Sequence, residues 1–347
     1  MAVGGAHFPR SERELRSWFV DDDACLDYLD WLRWGTQRVC PHCGVVLPKR
    51  PVSGRQWRCP ECTARVSRTA GTIFQDTRTP LTVWFAAGWE MCADKGGVSA
   101  MALKRRLSLG SYQTAWTMLH RYRSAMSLAG QDLLTGDVEA DETLLGGTKA
   151  GPPGRGALGK VLLGVALETK QPTGFGRVRF RVLPDASGPS LRAFLTDTVQ
   201  VGSHVITDGW QGYRPATRGL FTHTRHPISG SGLQAHVLLP GVHRVASLLK
   251  RWMLGTHQGS VGTDHLDAYL AEFTFRFNRR LSKERGLLFY RLMTYAAQAD
   301  PVTYTDLIQT SRPKKVNPTP PTGPRRPPRS LAITSAGSPW RNHTPVP

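Results

Sequence analysis

Two aspartates have positions that suit metal-assisted phosphoryl transfer. Asp141 and Asp208 each follow a short run with the alternation of a β-strand, over 137–141 and 204–208. A carboxylate at the carboxyl end of a strand projects from the edge of an open α/β sheet, where such folds place their sites. Paired carboxylates hold the hard divalent cations that serve phosphoryl transfer. The pattern therefore predicts a magnesium or manganese site on Asp141 and Asp208.

A third ligand should come from a different element. Downstream of Asp208, the long helical segment within reach begins near Leu238 and contains His243 and Lys250. Residues seven apart share a helix face after two turns. We therefore expect the imidazole of His243 to face the metals and the ammonium of Lys250 to face a phosphate on the same side. A surface position for His243 without a ligand role is the alternative.

Three other acids require an assignment as metal ligands or as structural residues. Glu272 is a rival third acid, but its helix is rich in Phe and Arg, which favours pairing with arginines. Glu139 shares the strand face of Asp141, since side chains alternate along a strand, and is a candidate secondary ligand. Glu142 points to the opposite face and is expected to be structural. Loop exposure or DNA contact is expected for His223, His226 and His236, which cluster before the helix, and a metal role is the alternative.

Four of the six cysteines form two Cys-x-x-Cys pairs with fifteen residues between them. Each pair can direct two sulfurs at one ion, and two such turns complete a tetrahedron around zinc. Two unrelated redox pairs are the alternative. Cys25 and Cys92 are expected to be buried thiols, and His42 is an unneeded fifth donor. The predicted structural zinc ligands are Cys40, Cys43, Cys59 and Cys62.

The chain is strongly basic. Its 347 residues carry 45 Lys and Arg against 26 Asp and Glu, a net charge of +19, with an ordinary hydrophobic content of 40%. Such a charge suits nucleic acid or an anionic membrane. No apolar run approaches the ~18–20 residues of a spanning helix, and the amino terminus lacks the apolar stretch of a signal peptide. We therefore expect a cytoplasmic, nucleoid-associated DNA-binding protein with no membrane partner.

Apolar periodicity divides the chain into segments. Two helices at about 98–107 and 111–127, separated by a glycine-containing turn, predict a helix-turn-helix layout. A helical linker that packs on the catalytic domain is the alternative. The predicted segments are an N-terminal helical segment at 1–36, a zinc ribbon at 37–70, a helical DNA-binding segment at 78–130, a catalytic domain at 135–298 and a disordered, basic, proline-rich tail at 311–347.

The periodicity changes to two after residue 136. Strands are predicted at 137–145, 161–167 and 178–182, followed by a helix that starts near Ser187 and a strand that ends at Asp208. Three strands, a helix and another strand are the opening order of a ribonuclease H-like fold. The predicted fold class is therefore α/β, with a ribonuclease H-like catalytic domain preceded by the zinc ribbon and the helical segment.

Basic and aromatic side chains suggest contacts to DNA. The arginines of the ribbon favour DNA contact over the protein contacts that zinc ribbons also make. Trp210 and Tyr213 are candidates for stacking on an unpaired base, with buried packing as the alternative. The predicted DNA-binding residues are Lys104, Arg105, Arg106, Arg276, Arg279 and Arg280.

Several motifs together resemble one known family. The matching segments are Asp141–Thr143 before Gly146, Thr207–Trp210 before Tyr213, His243–Arg251, Gly255–His257, Tyr269–Phe273 and Phe275–Arg280. They resemble bacterial insertion-sequence transposases of the DDE class, the ISXO-like group with an N-terminal zinc ribbon, over roughly 35–295. The resemblance implies metal-dependent cleavage at terminal inverted repeats, strand transfer into target DNA and a homo-oligomer on double-stranded DNA.

The third ligand departs from the pattern of that family. Most DDE transposases have glutamate there, and this chain has His243. Imidazole binds a divalent ion but removes one negative charge, and it is a softer ligand than carboxylate. We therefore expect manganese to be favoured over magnesium more than in a glutamate enzyme.

Two other functions are compatible with parts of the sequence. A zinc-ribbon DNA-binding regulator, or an inactive transposase relic, would have the same charge and the same ribbon. Neither has a need for the set Asp141, Asp208 and His243. A structure-specific nuclease on the same fold would share the metal site but would not join strands.

Overall fold

The computed structural model describes residues 2–48, 54–130, 132–146, 160–170, 174–227, 235–258 and 262–309. The predicted tail at 311–347 lies outside these residues. The described chain forms two compact units, one from the residues before 126 and after 281, the other from the residues between them. Among the described helices, none is long and apolar enough to cross a membrane.

Helices make up most of the first unit and flank the sheet of the second. In chain order they are α1 (Glu12–Trp18), α2 (Asp22–Trp34), α3 (Leu81–Ala93), α4 (Ala100–Arg106), α5 (Tyr112–Ser127), α6 (Gly188–Thr198), α7 (Tyr213–Thr217), α8 (Ala235–Leu238), α9 (Pro240–His257), α10 (Leu266–Phe277), α11 (Arg285–Ala296) and α12 (Tyr304–Ile308).

The strands form two small hairpins and one larger sheet. In chain order they are β1 (Gln37–Val39), β2 (Val46–Pro48), β3 (Gln56–Arg58), β4 (Arg65–Ser67), β5 (Asp137–Leu145), β6 (Val161–Thr169), β7 (Phe175–Leu183), β8 (His204–Asp208) and β9 (Thr222–His226).

The first unit is built around an aromatic core. The ring of Phe19 packs edge to face on Phe85, with centroids 4.6 Å apart, and on Tyr28 at 5.1 Å. Phe289 of α11 joins the same cluster at 6.0 Å from Phe85 of α3. Such aromatic pairs contribute beyond the area that they bury.

Helix α11 therefore belongs to the first unit, although the sequence predicted a catalytic domain that extends to residue 298. The apolar stripe of α11 indicates that this helix must be buried, but it does not indicate which element the helix packs against. The backbone agrees, because the N–H of Ile73 donates to the carbonyl of Ala296 at 3.2 Å. The unit that holds the large sheet ends at Leu281.

The predicted N-terminal helical segment consists of two helices, α1 and α2. Asp21 interrupts it, because its side chain accepts a hydrogen bond from the N–H of Ala24 at 2.8 Å and so caps α2. Further along, α4 and α5 have the predicted helix-turn-helix order. Ser108 lies in the turn between them with φ of 50°.

Three arginines of the ribbon region pair with aspartates of α2. The fully buried Arg68 places Nε 2.9 Å from Asp30, and Arg38 lies 3.3 Å from the same carboxylate. Arg55 is 2.9 Å from Asp22. A buried charge needs such partners because its desolvation is costly. Asp27, with Oδ1 2.5 Å from Nη2 of Arg68, is the third carboxylate, and the three positive charges are therefore neutralised within the unit.

The second unit has a five-stranded sheet with the order β7-β6-β5-β8-β9. The first three strands form an antiparallel meander, with β5 antiparallel to β6 and β6 antiparallel to β7. On the other side of β5, β8 and β9 run parallel to it. This topology, with α6 between β7 and β8, is the ribonuclease H-like arrangement and confirms the predicted fold class.

Side chains alternate between the two faces of this sheet as the period of two requires. On β5, Val138 and Ala140 join the core under α6 and α7. Leu145 of β5 joins the opposite core under α9 and α10, together with Leu163 and Val165 of β6. Glu139 and Asp141 therefore belong to the face that α9 covers.

Glu272 has a structural partner within α10. Its side chain is fully buried and its Oε1 lies 2.9 Å from both Nε and Nη2 of Arg276, which is 12% exposed. The expected pairing of Glu272 with an arginine is thus observed. The pair also gives Arg276 a role inside the unit.

We expect Glu272→Ala to lower the free energy of unfolding by about 3–5 kcal/mol, because it leaves a buried guanidinium without its counter-charge. Urea denaturation followed by circular dichroism measures the change. The double variant Glu272→Met with Arg276→Met removes both charges and should recover most of the loss. A single variant as stable as the wild type would show that the ion pair is unimportant.

Candidate active site and zinc centre

Parallel pairing of β5 and β8 brings the two predicted aspartates together. The register aligns Ala140 with Thr207, so the next residues along the two strands, Asp141 and Asp208, lie side by side. Asp208 ends its strand as predicted. Asp141 lies inside its strand, because pairing with β6 continues β5 to Leu145, the end predicted for this strand. The two carboxylates meet where the parallel pairing ends.

Helix α9 brings the predicted third residue to the same place. The Nε2 atom of His243 lies 3.6 Å from Oδ2 of Asp141, and its ring is half-buried. The buried stripe of α9, which includes Val245 and Leu249, packs on the sheet face that carries Asp141. His243 therefore faces the sheet and lies beside Asp141, and its role as a ligand stays a prediction.

Backbone N–H groups orient both carboxylates. Oδ1 of Asp141 accepts from the N–H of Glu142 at 2.8 Å, and Oδ1 of Asp208 accepts from the N–H of Trp210 at 2.9 Å. These bonds favour the observed side-chain orientations in the absence of a ligand. In this arrangement the other oxygen of Asp141 is the one that faces His243.

The donor set fits a divalent cation. Carboxylate oxygens suit magnesium and manganese, and imidazole accepts the softer of the two. Among the described residues, only the four cysteines bring three or more metal-binding side chains within 4.8 Å of one another. Asp141 and His243 are already close, and Asp208 is the side chain that would have to move toward them.

Lys250 lies two turns after His243 on α9 and is exposed. Desolvation and the nearby positive charge of Lys160 lower the pKa of its ammonium. Lys160 precedes β6 directly, and sequence reasoning did not single it out. Two lysines that repel each other favour an anion between or beside them.

Glu139 anchors the helix that carries His243. Its Oε2 accepts from the N–H of Val242 at 2.9 Å, and the N–H of Gly241 is a second donor to the same carboxylate. The first turn of α9 has no side-chain cap of its own, and Pro240 has no N–H to offer. Glu139 thus satisfies the exposed donors of that turn from the neighbouring strand.

The environment of Glu139 is tight and buried. Burial raises the pKa of this carboxyl, against the opposing effect of the two backbone donors. A Cβ on Gly241 would lie 2.8 Å from Oε2 of Glu139 and 2.7 Å from Leu167, so only glycine permits this approach. These contacts give Glu139 a positioning role for α9, and its role as a secondary metal ligand stays a prediction.

Glu142 lies on the sheet face opposite to the one that carries Asp141, as expected. Glu142 interacts with the buried hydroxyl of Tyr213, whose pKa is raised by burial first and then by the carboxylates of Glu142, Asp141 and Asp208. Tyr213 is fully buried, so packing and not base stacking is its role. Trp210 is 38% exposed, with its Nε1–H donated to the carbonyl of Ala186 at 2.8 Å.

Two of the three predicted loop histidines lie on β9 within the sheet. His226 is the register partner of Asp208, which places it third in a row with the two aspartates. His223 lies 2.9 Å from the hydroxyl of Thr207 and 3.0 Å from that of Thr217. The side chain of His236 lies outside the described residues.

The four predicted zinc ligands converge as the spacing requires. Sγ atoms of Cys40 and Cys62 lie 3.7 Å apart, as do those of Cys43 and Cys59. Each Cys-x-x-Cys turn ends in a residue with positive φ, Gly44 at 74° and Thr63 at 57°. The two turns are therefore alike in backbone, and together they have the donor set of a structural zinc site.

The predicted DNA-binding residues differ in their surroundings. Arg106 pairs with Glu90 at 2.6 Å, whereas Arg105 of the same helix is exposed. The guanidinium of Arg279 lies over the ring of Phe275 at 4.3 Å, and that of Arg280 over Phe277 at 4.0 Å. Contacts within the protein thus explain the position of Arg106 without DNA. They also explain those of Arg279 and Arg280 in part.

We expect Glu139→Ala to destabilise the first turn of α9, because each buried N–H that loses its acceptor costs about 1–3 kcal/mol. Glu139→Gln, which keeps one acceptor oxygen, should cost less. Hydrogen exchange at the amide of Val242 reports the local effect and urea denaturation the global one.

Gly241→Ala should reproduce this loss, because its methyl group meets Glu139 and Leu167. Gly255→Ala in the same helix is the matched control, since a Cβ there meets nothing within 4 Å. Equal protection of the Val242 amide in all four variants would contradict the anchoring role of Glu139.

Known proteins resemble both parts of this architecture. A family model described as a transposase zinc-ribbon domain matches residues 20–65, and one described as an ISXO2-like transposase domain matches residues 133–278. A relative, an uncharacterized protein in the transposable element ISH50 of Halobacterium salinarum, is 27% identical over 274 residues, 74% of this chain and 91% of that protein.

The catalytic core domain of BIV integrase is similar at 18% identity over 41% of this chain and 84% of its own, with a TM-score of 0.26. The fold assignment rests on the strand order and not on this likeness. The two family models together match more than half of the chain. The chain belongs to the insertion-sequence transposases of the DDE class that combine an N-terminal zinc ribbon with an ISXO2-like transposase domain.

Proposed function

We propose that this protein cleaves DNA at the terminal inverted repeats of an insertion sequence and joins the freed ends to target DNA. One observation carries the proposal. Asp141 and Asp208 lie side by side on adjacent parallel strands, and His243 reaches within 3.6 Å of Asp141 from the helix that covers them. Membership of the transposase family supports the choice of DNA as substrate.

Asp141, Asp208 and His243 would hold magnesium or manganese. Bound divalent ions supply an activated oxygen nucleophile and neutralise charge on the leaving oxygen. The chain itself supplies the positioning: the N–H groups of Glu142 and Trp210 orient the two carboxylates, and Glu139 orients the helix of His243. Asp141 and His243 are preorganised in this way, and Asp208 completes the set by moving toward them.

The reaction proceeds in two displacements at phosphorus. In the first, the oxygen of water bonds to the phosphorus at the transposon end and the 3′ oxygen leaves with a proton. In the second, that 3′ hydroxyl bonds to a phosphorus of target DNA, and the 3′ oxygen of the target strand leaves. Neither step requires a covalent bond between protein and DNA.

Basic residues hold the DNA for both steps. Lys250, with Lys160 beside it, contacts a phosphate near the reacting centre. Lys104 and Arg105 of α4 contact the duplex outside the site, and Arg279 and Arg280 add charge where their ring contacts leave them accessible. Joining two ends requires two active sites, so the protein acts as a homo-oligomer on paired ends.

Asp141→Asn and Asp208→Asn should each lower cleavage and strand transfer more than about 100-fold, since even residues that only orient metal ligands contribute 10–100-fold. The assay uses zinc-loaded protein, labelled terminal-repeat DNA and a supercoiled target. Asp197→Asn, an exposed residue of α6, is the matched control. DNA binding without cleavage by the wild type in either metal would identify a DNA-binding relic instead.

The metal preference tests the role of His243. The ratio of the cleavage rate in manganese to that in magnesium should be larger for the wild type than for His243→Glu, because imidazole is the softer ligand. Equal rates in the two metals for both proteins would show that His243 does not contact the metal. If the wild type is inactive and His243→Glu cleaves DNA, the histidine is the cause of the inactivity.

A further inference from the structure

The hairpin of β3 and β4 places two arginines directly opposite each other. Arg58 and Arg65 are register partners on adjacent antiparallel strands, and both are exposed. Like charges in directly opposed positions destabilise a sheet. No acidic partner is found for either guanidinium within the described part of the chain. The pair therefore weakens the small domain that carries it.

The pleat of the hairpin separates this face from the core of the ribbon. Trp57 and Val66, the residues next to the two arginines, point inward and pack with Cys40 and Cys59. Gln56 and Ser67, register partners two positions further along the strands, lie on the same outer face as the two arginines. The outer face thus consists of hydrogen-bonding side chains with two positive charges.

The other arginines of the ribbon differ in this respect. Arg38, Arg55 and Arg68 each lie within 3.3 Å of an aspartate of α2, so their charges are compensated in the folded protein. The charges of Arg58 and Arg65 have no such compensation in the described chain. Arginine forms strong paired hydrogen bonds with phosphate, which is the complementary group for two adjacent guanidinium groups.

We propose that the outer face of the β3–β4 hairpin, Gln56, Arg58, Arg65 and Ser67, docks on the phosphate backbone of double-stranded DNA. This assignment rests on the proposed function, which makes DNA the partner. It places the DNA contact of the ribbon on one hairpin face, away from the zinc ligands and from the arginines that attach the ribbon to α2. Phosphate contacts of this kind position the protein without reading sequence.

The test compares the full-length, zinc-loaded protein with Arg58→Ala/Arg65→Ala on a labelled random-sequence duplex, by fluorescence anisotropy over a range of salt concentrations. The slope of log K against log salt should fall in magnitude by about 2, roughly 1 for each lost phosphate contact. Arg58→Lys/Arg65→Lys, which keeps both charges, should keep most of the slope.

The matched control is Arg13→Ala/Arg16→Ala, which removes two exposed arginines from α1 of the same unit. Its slope should equal that of the wild type. The Arg58→Ala/Arg65→Ala variant should also be at least as stable to heat as the wild type, since it relieves a repulsion. If the two arginines were needed only for folding, the variant would be less stable to heat than the wild type.

Two outcomes would overturn the proposal, and they are distinguishable. If the wild type binds duplex DNA and the Arg58→Ala/Arg65→Ala variant keeps the same slope and affinity, the hairpin face has another partner, such as an acidic protein surface. If the wild type does not bind duplex DNA, both this assignment and the proposed function fail.

Discussion

The pairing of β5 on both of its edges is the constraint on which the catalytic unit depends. Antiparallel pairing with β6 continues the meander, and parallel pairing with β8 brings Asp208 beside Asp141. The same strand presents Glu139 to the first turn of α9. One strand therefore supplies the first carboxylate, fixes the position of the second and anchors the helix that carries His243. A shift of one residue in its register would turn Glu139 and Asp141 to the opposite face, away from α9.

Buried charge has a second organising role. With a net charge of +19, the chain must place its positive groups either in contact with acids or in contact with solvent and ligands. The aspartates of α2 neutralise three arginines, and the buried Glu272 holds Arg276. What remains exposed, including the pair of Arg58 and Arg65, is the charge available to DNA. The total number of arginines is thus larger than the number available to bind DNA.

Much of this arrangement could be predicted from local sequence. The cysteine spacing defined the zinc site because a Cys-x-x-Cys turn is a local structure. The strand periods and the i, i+7 spacing of His243 and Lys250 indicated the elements, and the order of elements indicated the sheet topology. These inferences succeed because each depends on residues that are neighbours along the chain or on a topology with few alternatives.

The sequence by itself thus determined most of the elements, including the first four strands of the large sheet, the zinc ligands and the candidate residues Asp141, Asp208 and His243. Only the tertiary structure decided which arginines pair with aspartates, that Glu139 caps α9, that β9 adds a fifth strand beside β8, and that α11 packs with α3. The physical reason is the same in each case. A charge or an apolar stripe states that a partner is required, but the partner comes from a distant part of the chain and is chosen by packing.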